Sequence, residues 1–166
     1  MEKAMPTETK VKDVVCDMMV EPDSYRFCYQ GRDYAFCSAQ CRERFEAHPH
    51  LYVGTPGHPA PKKQGLVVLK QRRFVVDGAL DETQAKQLQA QIHAMMGIKS
   101  LAVNGAEVVV TYDLLQATAT QIEAALDQAG AHLGNGWGEK LRRGFIHFTE
   151  ECEINNLQGS PPAGCH

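Results

Sequence analysis

The segment Tyr34-Ala35-Phe36-Cys37-Ser38-Ala39-Gln40-Cys41-Arg42-Glu43-Arg44-Phe45 constrains this chain more than any other. Two thiols stand four residues apart directly after an aromatic run, and a third, Cys16, lies upstream in Val15-Cys16-Asp17-Met18-Met19-Val20. If a helix begins near Ser38, residues i and i+4 share a face, so Cys37 and Cys41 project to one side of its first turn. Ser38 suits the N-cap, and the positive end of the helix favours thiolates placed there. The thiolate is the form that binds metal. Soft sulfur donors select copper(I), zinc(II) and heavier thiophilic ions over magnesium or calcium. The spacing alone leaves a second reading open, in which both cysteines line a core as small hydrophobes.

At 166 residues the chain holds one ordinary domain or two small ones, and 43% hydrophobic with 22% charged residues allows a packed core. A net charge of −3 without a basic stripe argues against nucleic acid as a partner. No apolar run approaches the roughly 18 residues of a membrane span. Residues Met1 to Glu8 lack the apolar stretch of an export signal, so a cytoplasmic location is expected. In a reducing compartment, six cysteines read as ligands or redox thiols rather than as a disulfide framework. The sequence has no Gly-rich phosphate loop, no His-Glu-x-x-His and no paired-carboxylate signature. Cys37 or Cys41 as nucleophile, with His48 or His50 as base, would lack an orienting third group. An enzyme is therefore not expected; a thiol redox protein is the rival from that class.

Tyr25-Arg26-Phe27-Cys28-Tyr29 and Asp33-Tyr34-Ala35-Phe36 flank Gln30-Gly31-Arg32, which predicts a hairpin with Gly31 at positive φ. Tyr25, Phe27 and Tyr29 alternate onto one face and Cys28 falls on the other, facing solvent or reaching toward a metal. Arg42 to Ala47 continues the helix, with Phe45 in the core and Pro49 as the stop.

Three pieces, Val15 to Val20, Gly31 to Cys41, and Phe45 with His48-Pro49-His50-Leu51-Tyr52, together resemble the YHS domain, a small relative of the TRASH metal-binding modules. The resemblance covers 11–53. It implies a hairpin followed by a helix, with Cys16, Cys37 and Cys41 converging on copper(I) or zinc(II). The fourth ligand is left open between Met18, Cys28 and a partner molecule, and copper(I) is content with three. Asp17 stands where the family often has glycine, a departure that alters the turn but not the ligands.

Residues 54–65, rich in Pro and Gly, read as a linker, with His48, His50 and His58 in or near it expected to be solvated. Residues 66–134 then give the order βαββαβ of a ferredoxin-like split unit: Leu66 to Val76 a strand, Glu82 to Met96 a helix, a hairpin around Asn104-Gly105-Ala106, Thr120 to Ala129 a helix and Ala131 to Leu133 a short strand. Gly97 to Asn104, Val110 to Asp113 and Thr120 to Gly130 are similar to the heavy-metal-associated domain of copper chaperones and metal-pumping ATPases. That family's Cys-x-x-Cys is missing, and Asp81 and Gln84 stand near its place, so this module is not expected to bind metal in the family's way. Met95 and Met96 read as core. In 137–157, Trp137, Leu141, Phe145, Phe148 and Cys152 form one apolar seam of a helix, with Arg142, Arg143, Glu150, Glu151 and Glu153 as its solvated face. Residues 158–166 end on Cys165-His166, a pair able to hand over a soft ion or a loose terminus.

The expected class is therefore α+β: a hairpin-helix module, a ferredoxin-like module and a C-terminal amphipathic helix. The expected function is soft-metal binding in buffering, delivery or sensing, with copper first and zinc or a toxic heavy metal next. Candidate partners are a metal-transporting ATPase, another metal-handling protein, or a second copy. The alternative is an interaction module stabilised by a structural zinc.

Overall fold

A computed structural model describes residues 9–159. Near the start, β1 (Val11–Lys12) pairs antiparallel with β2 (Met19–Val20), and β3 (Phe27–Tyr29) pairs with β4 (Arg32–Tyr34). Gln30 and Gly31 take φ of 49° and 74°, the two consecutive left-handed residues that a primed two-residue hairpin turn demands. Helix α1 (Ala39–Ala47) starts at Ser38, whose hydroxyl accepts the Cys41 N–H, and ends before Pro49; α2 (His50–Val53) follows. Phe45 on α1 is fully buried, with the rings of Phe27, Tyr29, Tyr34, Phe36 and Tyr52 packed around it at centroid distances of 4.7–6.1 Å. The helix carrying two of the thiols is thus fixed by an aromatic core one turn below Cys41.

The second half contains β5 (Leu69–Val75), α3 (Glu82–His93), β6 (Ile98–Asn104), β7 (Glu107–Asp113) and α4 (Ala119–Gln128). The sheet order is β5-β7-β6, with both outer strands antiparallel to β7. The expected last strand is reduced to a single bridge, Val76 with Leu133, which places it beside β5. This is the strand order of the split unit with its fourth strand shortened to one pair, and the whole chain is α+β. Asp81 and Gln84 form the capping box of α3: the Asp81 carboxylate accepts the Gln84 N–H at 2.8 Å and the Gln84 side chain accepts the Asp81 N–H at 3.0 Å. The loop where a metal motif would stand serves to start a helix.

Helix α5 (Trp137–Leu157) has the expected bounds, but the face it buries corrects the sequence reading. Glu150 is 3% exposed, and Ile154 is 1% exposed. Trp137, Leu141, Phe145 and Phe148 remain 53–80% exposed. The supposed solvated residues turn inward because the rest of the fold offers them partners. The Glu150 carboxylate accepts from the Tyr112 hydroxyl and the Ala119 N–H, Glu153 pairs with Lys70, and Arg143 donates to the Gly134 carbonyl. Arg142 donates to the carbonyl of Arg73 on β5.

The two halves share one core and several specific hydrogen bonds. The Gln40 side chain donates to the carbonyls of Met96 and Gln116 and accepts the Met96 N–H at 3.0 Å. Buried Arg44 donates to the Leu114 carbonyl at 2.9 Å, and the Tyr52 hydroxyl donates to the Leu115 carbonyl. Residues 54–65 are held rather than loose, with Thr55 bridged to His58, Ala60 buried and a short 3-10 turn over Lys62–Gln64. Gly54 takes φ of 72°, and an added Cβ would lie 2.7 Å from the His58 carbonyl oxygen and 2.8 Å from the Ala60 nitrogen. Gly54→Ala should therefore destabilise the chain by about 2 kcal/mol or more in urea unfolding, because it adds both backbone strain and a backbone clash. A loose connector would show a change near zero.

Candidate metal centre

Asp13 organises the site. It is fully buried in the loop between β1 and β2. Its Oδ1 accepts the N–H of Val15 at 2.8 Å and of Cys16 at 3.4 Å, and its Oδ2 accepts the N–H of Cys37 at 2.8 Å. A short polar side chain that bonds backbone a few residues on is a common turn former. Here the second oxygen reaches across 24 positions and holds the backbone of Cys37 beside that of Cys16. Asp17 completes the turn at φ 67°, in the left-handed region that the family's glycine enters freely and aspartate tolerates. Its carboxylate pairs with Lys12 at 2.8 Å and Lys62 at 3.3 Å, and its pKa lies below the ordinary value chiefly because of the Lys12 hydrogen bond.

The three expected thiols come together. Cys16 Sγ lies 3.4 Å from Cys37 Sγ, and Cys37 Sγ lies 3.5 Å from Cys41 Sγ. With an oxygen of Asp13, these donors lie within 4.8 Å of one another, the one such group among the described residues. A tetrahedral ion with metal–sulfur bonds of about 2.3 Å separates its sulfurs by about 3.8 Å, so the cluster needs to open by only a few tenths of an ångström to fit one. Cys41 is buried, whereas Cys16 and Cys37 are partly exposed, so the group is open on one side. These residues fit a thiophilic ion.

The cluster also divides its protons unevenly. Hydrogen bonding from Cys41 lowers the Cys16 pKa below the ordinary thiol value, with smaller help from the Met18 backbone and Cys37. Burial pushes the Cys37 thiol up to about 11. Cys41 is pushed up further, first by its hydrogen bond to Cys16 and then by burial. The arrangement is one thiolate, on Cys16, held by two thiols. An incoming ion must displace the protons of Cys37 and Cys41, so metal affinity falls as pH falls.

The structure places the two other candidates differently. Cys28 is exposed on β3 opposite Asp33 and lies outside the four-residue group. Met18 is 47% exposed in the β1–β2 turn, where its carbonyl accepts the Asp13 N–H at 2.8 Å. Cys165 and His166 lie outside the described residues. His58 is exposed as expected, but His48 is only 8% exposed, its Nδ1 facing the Gln158 amide at 2.8 Å and its Nε2 facing Glu151 at 3.4 Å. Burial pulls its pKa below the ordinary histidine value, with Arg44 adding to the effect. Asp13 escaped the sequence reading; the signal for it was an Asp three residues before the first cysteine, in a turn-forming context.

In the metal-free protein at pH 7.5, initial alkylation by iodoacetamide, mapped by mass spectrometry, should modify Cys16 at least about tenfold faster than Cys37, with Cys41 slowest. The thiolate is present above a group's pKa, so raising the pH toward 11 should bring Cys37 in after Cys16. Equal rates at the three sites would contradict the proton distribution described here.

Residues 11–55 match the family model of the YHS domain, a match that covers the thiol cluster and its aromatic core and does not extend over the second half. No curated protein and no solved structure matches the chain.

Proposed function

We propose that the protein binds a thiophilic metal ion through Cys16, Cys37 and Cys41 and serves to buffer, deliver or sense it, with copper(I) as the first choice. The observation that carries this reading is the convergence of three sulfurs at 3.4–3.5 Å, under a match to the YHS domain. Three soft donors at those distances suit copper(I), which is stable with three thiolates and has little affinity for oxygen. Asp13 then acts mainly by positioning, since three backbone N–H groups occupy most of its acceptor capacity. The partial exposure of Cys16 and Cys37 supports a role in exchange, because a partner's thiols can approach the ion from that side. A metal-transporting ATPase or another metal-handling protein in a reducing compartment such as the cytoplasm is the partner this chemistry suggests. No helix among the described residues is long and apolar enough to cross a membrane.

Zinc(II) is the second reading, favoured by the carboxylate itself. Asp13 retains acceptor capacity on Oδ2, and a divalent ion offsets more of the negative charge of three thiolates beside a buried aspartate. In that form the ion holds the first module together, and stripping it unfolds the domain.

Elemental analysis of anaerobically purified native protein, beside Cys37→Ser and Cys41→Ser, tests the proposal. About one copper or zinc per chain is expected for the native protein and well below that for both variants. Competition by a chelator should then remove copper without loss of circular dichroism, whereas loss of the fold would assign a structural zinc. A native protein that takes up no metal on reconstitution would overturn both readings.

A further inference from the structure

Helix α5 presents a continuous apolar stripe to solvent: Trp137 is 80% exposed, Leu141 62%, Phe145 67% and Phe148 53%. The spacings of four, four and three residues keep these side chains on one face over three turns. From ordinary aromatic areas the stripe exposes roughly 500 Å² per chain, at the upper end of what a monomer leaves uncovered. The opposite face is already committed, through Glu150, Arg143 and Ile154, to the rest of the chain.

Gly144, set among these side chains, needs a reason. A glycine inside a helix is less stable than alanine. Its φ is not in the left-handed region, and a Cβ added there meets nothing within 4 Å. The fold of the single chain therefore gains nothing from the missing side chain, and the gain comes only if another backbone approaches there. Gly138, at the head of the stripe, is open in the same way.

Charge identifies the occupant. Lys140 and Glu151 are both exposed, and they stand eleven residues, about three turns, apart on one flank of the stripe. Their midpoint falls beside Phe145. A second copy of α5 laid antiparallel about that midpoint sets each Lys140 against the partner copy's Glu151, whereas a parallel copy sets like charges together. The same isologous pairing buries about 1,000 Å² from the four apolar side chains of each copy, the level at which a specific interface begins. An anionic membrane fits less well, because Glu150, Glu151 and Glu153 give the second half of the helix the wrong charge.

We propose that two copies of this chain associate through an antiparallel, two-fold pairing of α5 centred on Gly144 and Phe145. The pairing is independent of the thiol cluster, so metal content and association can fail separately.

Sedimentation equilibrium of the full chain from about 1 to 500 μM tests this, since an interface of this size is expected to be weak. A reversible monomer–dimer equilibrium is expected, shifted to monomer by Phe145→Glu with metal content unchanged. Gly144→Ala should raise the melting temperature of the dilute protein by about 2–4 °C while weakening the dimer about tenfold. Lys140→Glu should weaken it, and Lys140→Glu combined with Glu151→Lys should restore it. A native protein that stays monomeric throughout overturns the proposal, as does a dimer indifferent to Phe145→Glu. Association only with vesicles containing anionic lipid overturns it too.

Discussion

Asp13 is fully buried, and its carboxylate is tolerable there because three backbone N–H groups donate to it. Two of those donors belong to the loop that carries Cys16 and the third is the N–H of Cys37. The same bonds that satisfy the charge therefore fix the separation of two thiols far apart in sequence. Removing the carboxylate would leave buried donors without partners, which makes the geometry of the sulfurs a by-product of backbone satisfaction. Cys41 joins them through helix α1, whose start is set by Ser38 and whose position is set by Phe45 and its ring of aromatic neighbours.

The second half of the chain extends that support. Gln40, between Cys37 and Cys41, is fastened by both ends of its amide to Met96 and by one to Gln116, and Gln121 donates back to the Gln40 carbonyl. Arg44, one turn further, reaches the Leu114 carbonyl. The ferredoxin-like half thus has a physical task without a metal motif of its own: it clamps the helix that presents the thiols. Its own loop at Asp81 and Gln84 is used for helix capping, which accounts for donor residues there that are hard rather than soft.

Local signals in the sequence were easy to read where geometry follows from near neighbours. The Gln30-Gly31 turn, the Ser38 cap, the Pro49 stop, the hairpin at Gly105 and the bounds of α5 all follow from residues within one or two turns. The convergence of Cys16, Cys37 and Cys41 was legible through its resemblance to a known module. Asp13 was not, because its role lies in a bond spanning 24 positions. The inward face of α5 was misread for a related reason. Amphipathic patterning assumes that apolar side chains face the core, yet Glu150 finds the Tyr112 hydroxyl and an amide of α4 there, and the more apolar face is left outside. Burial of His48 likewise depends on Gln158 and Glu151, more than a hundred residues away.

The claim on which the account rests is that these three sulfurs bind one ion together. X-ray absorption spectroscopy of the protein loaded with a single equivalent of copper(I), or of zinc(II), measures this directly. The account predicts a first shell dominated by three sulfur scatterers at about 2.2–2.3 Å, with at most one lighter neighbour. A shell made only of nitrogen and oxygen, or one with a single sulfur, would contradict it.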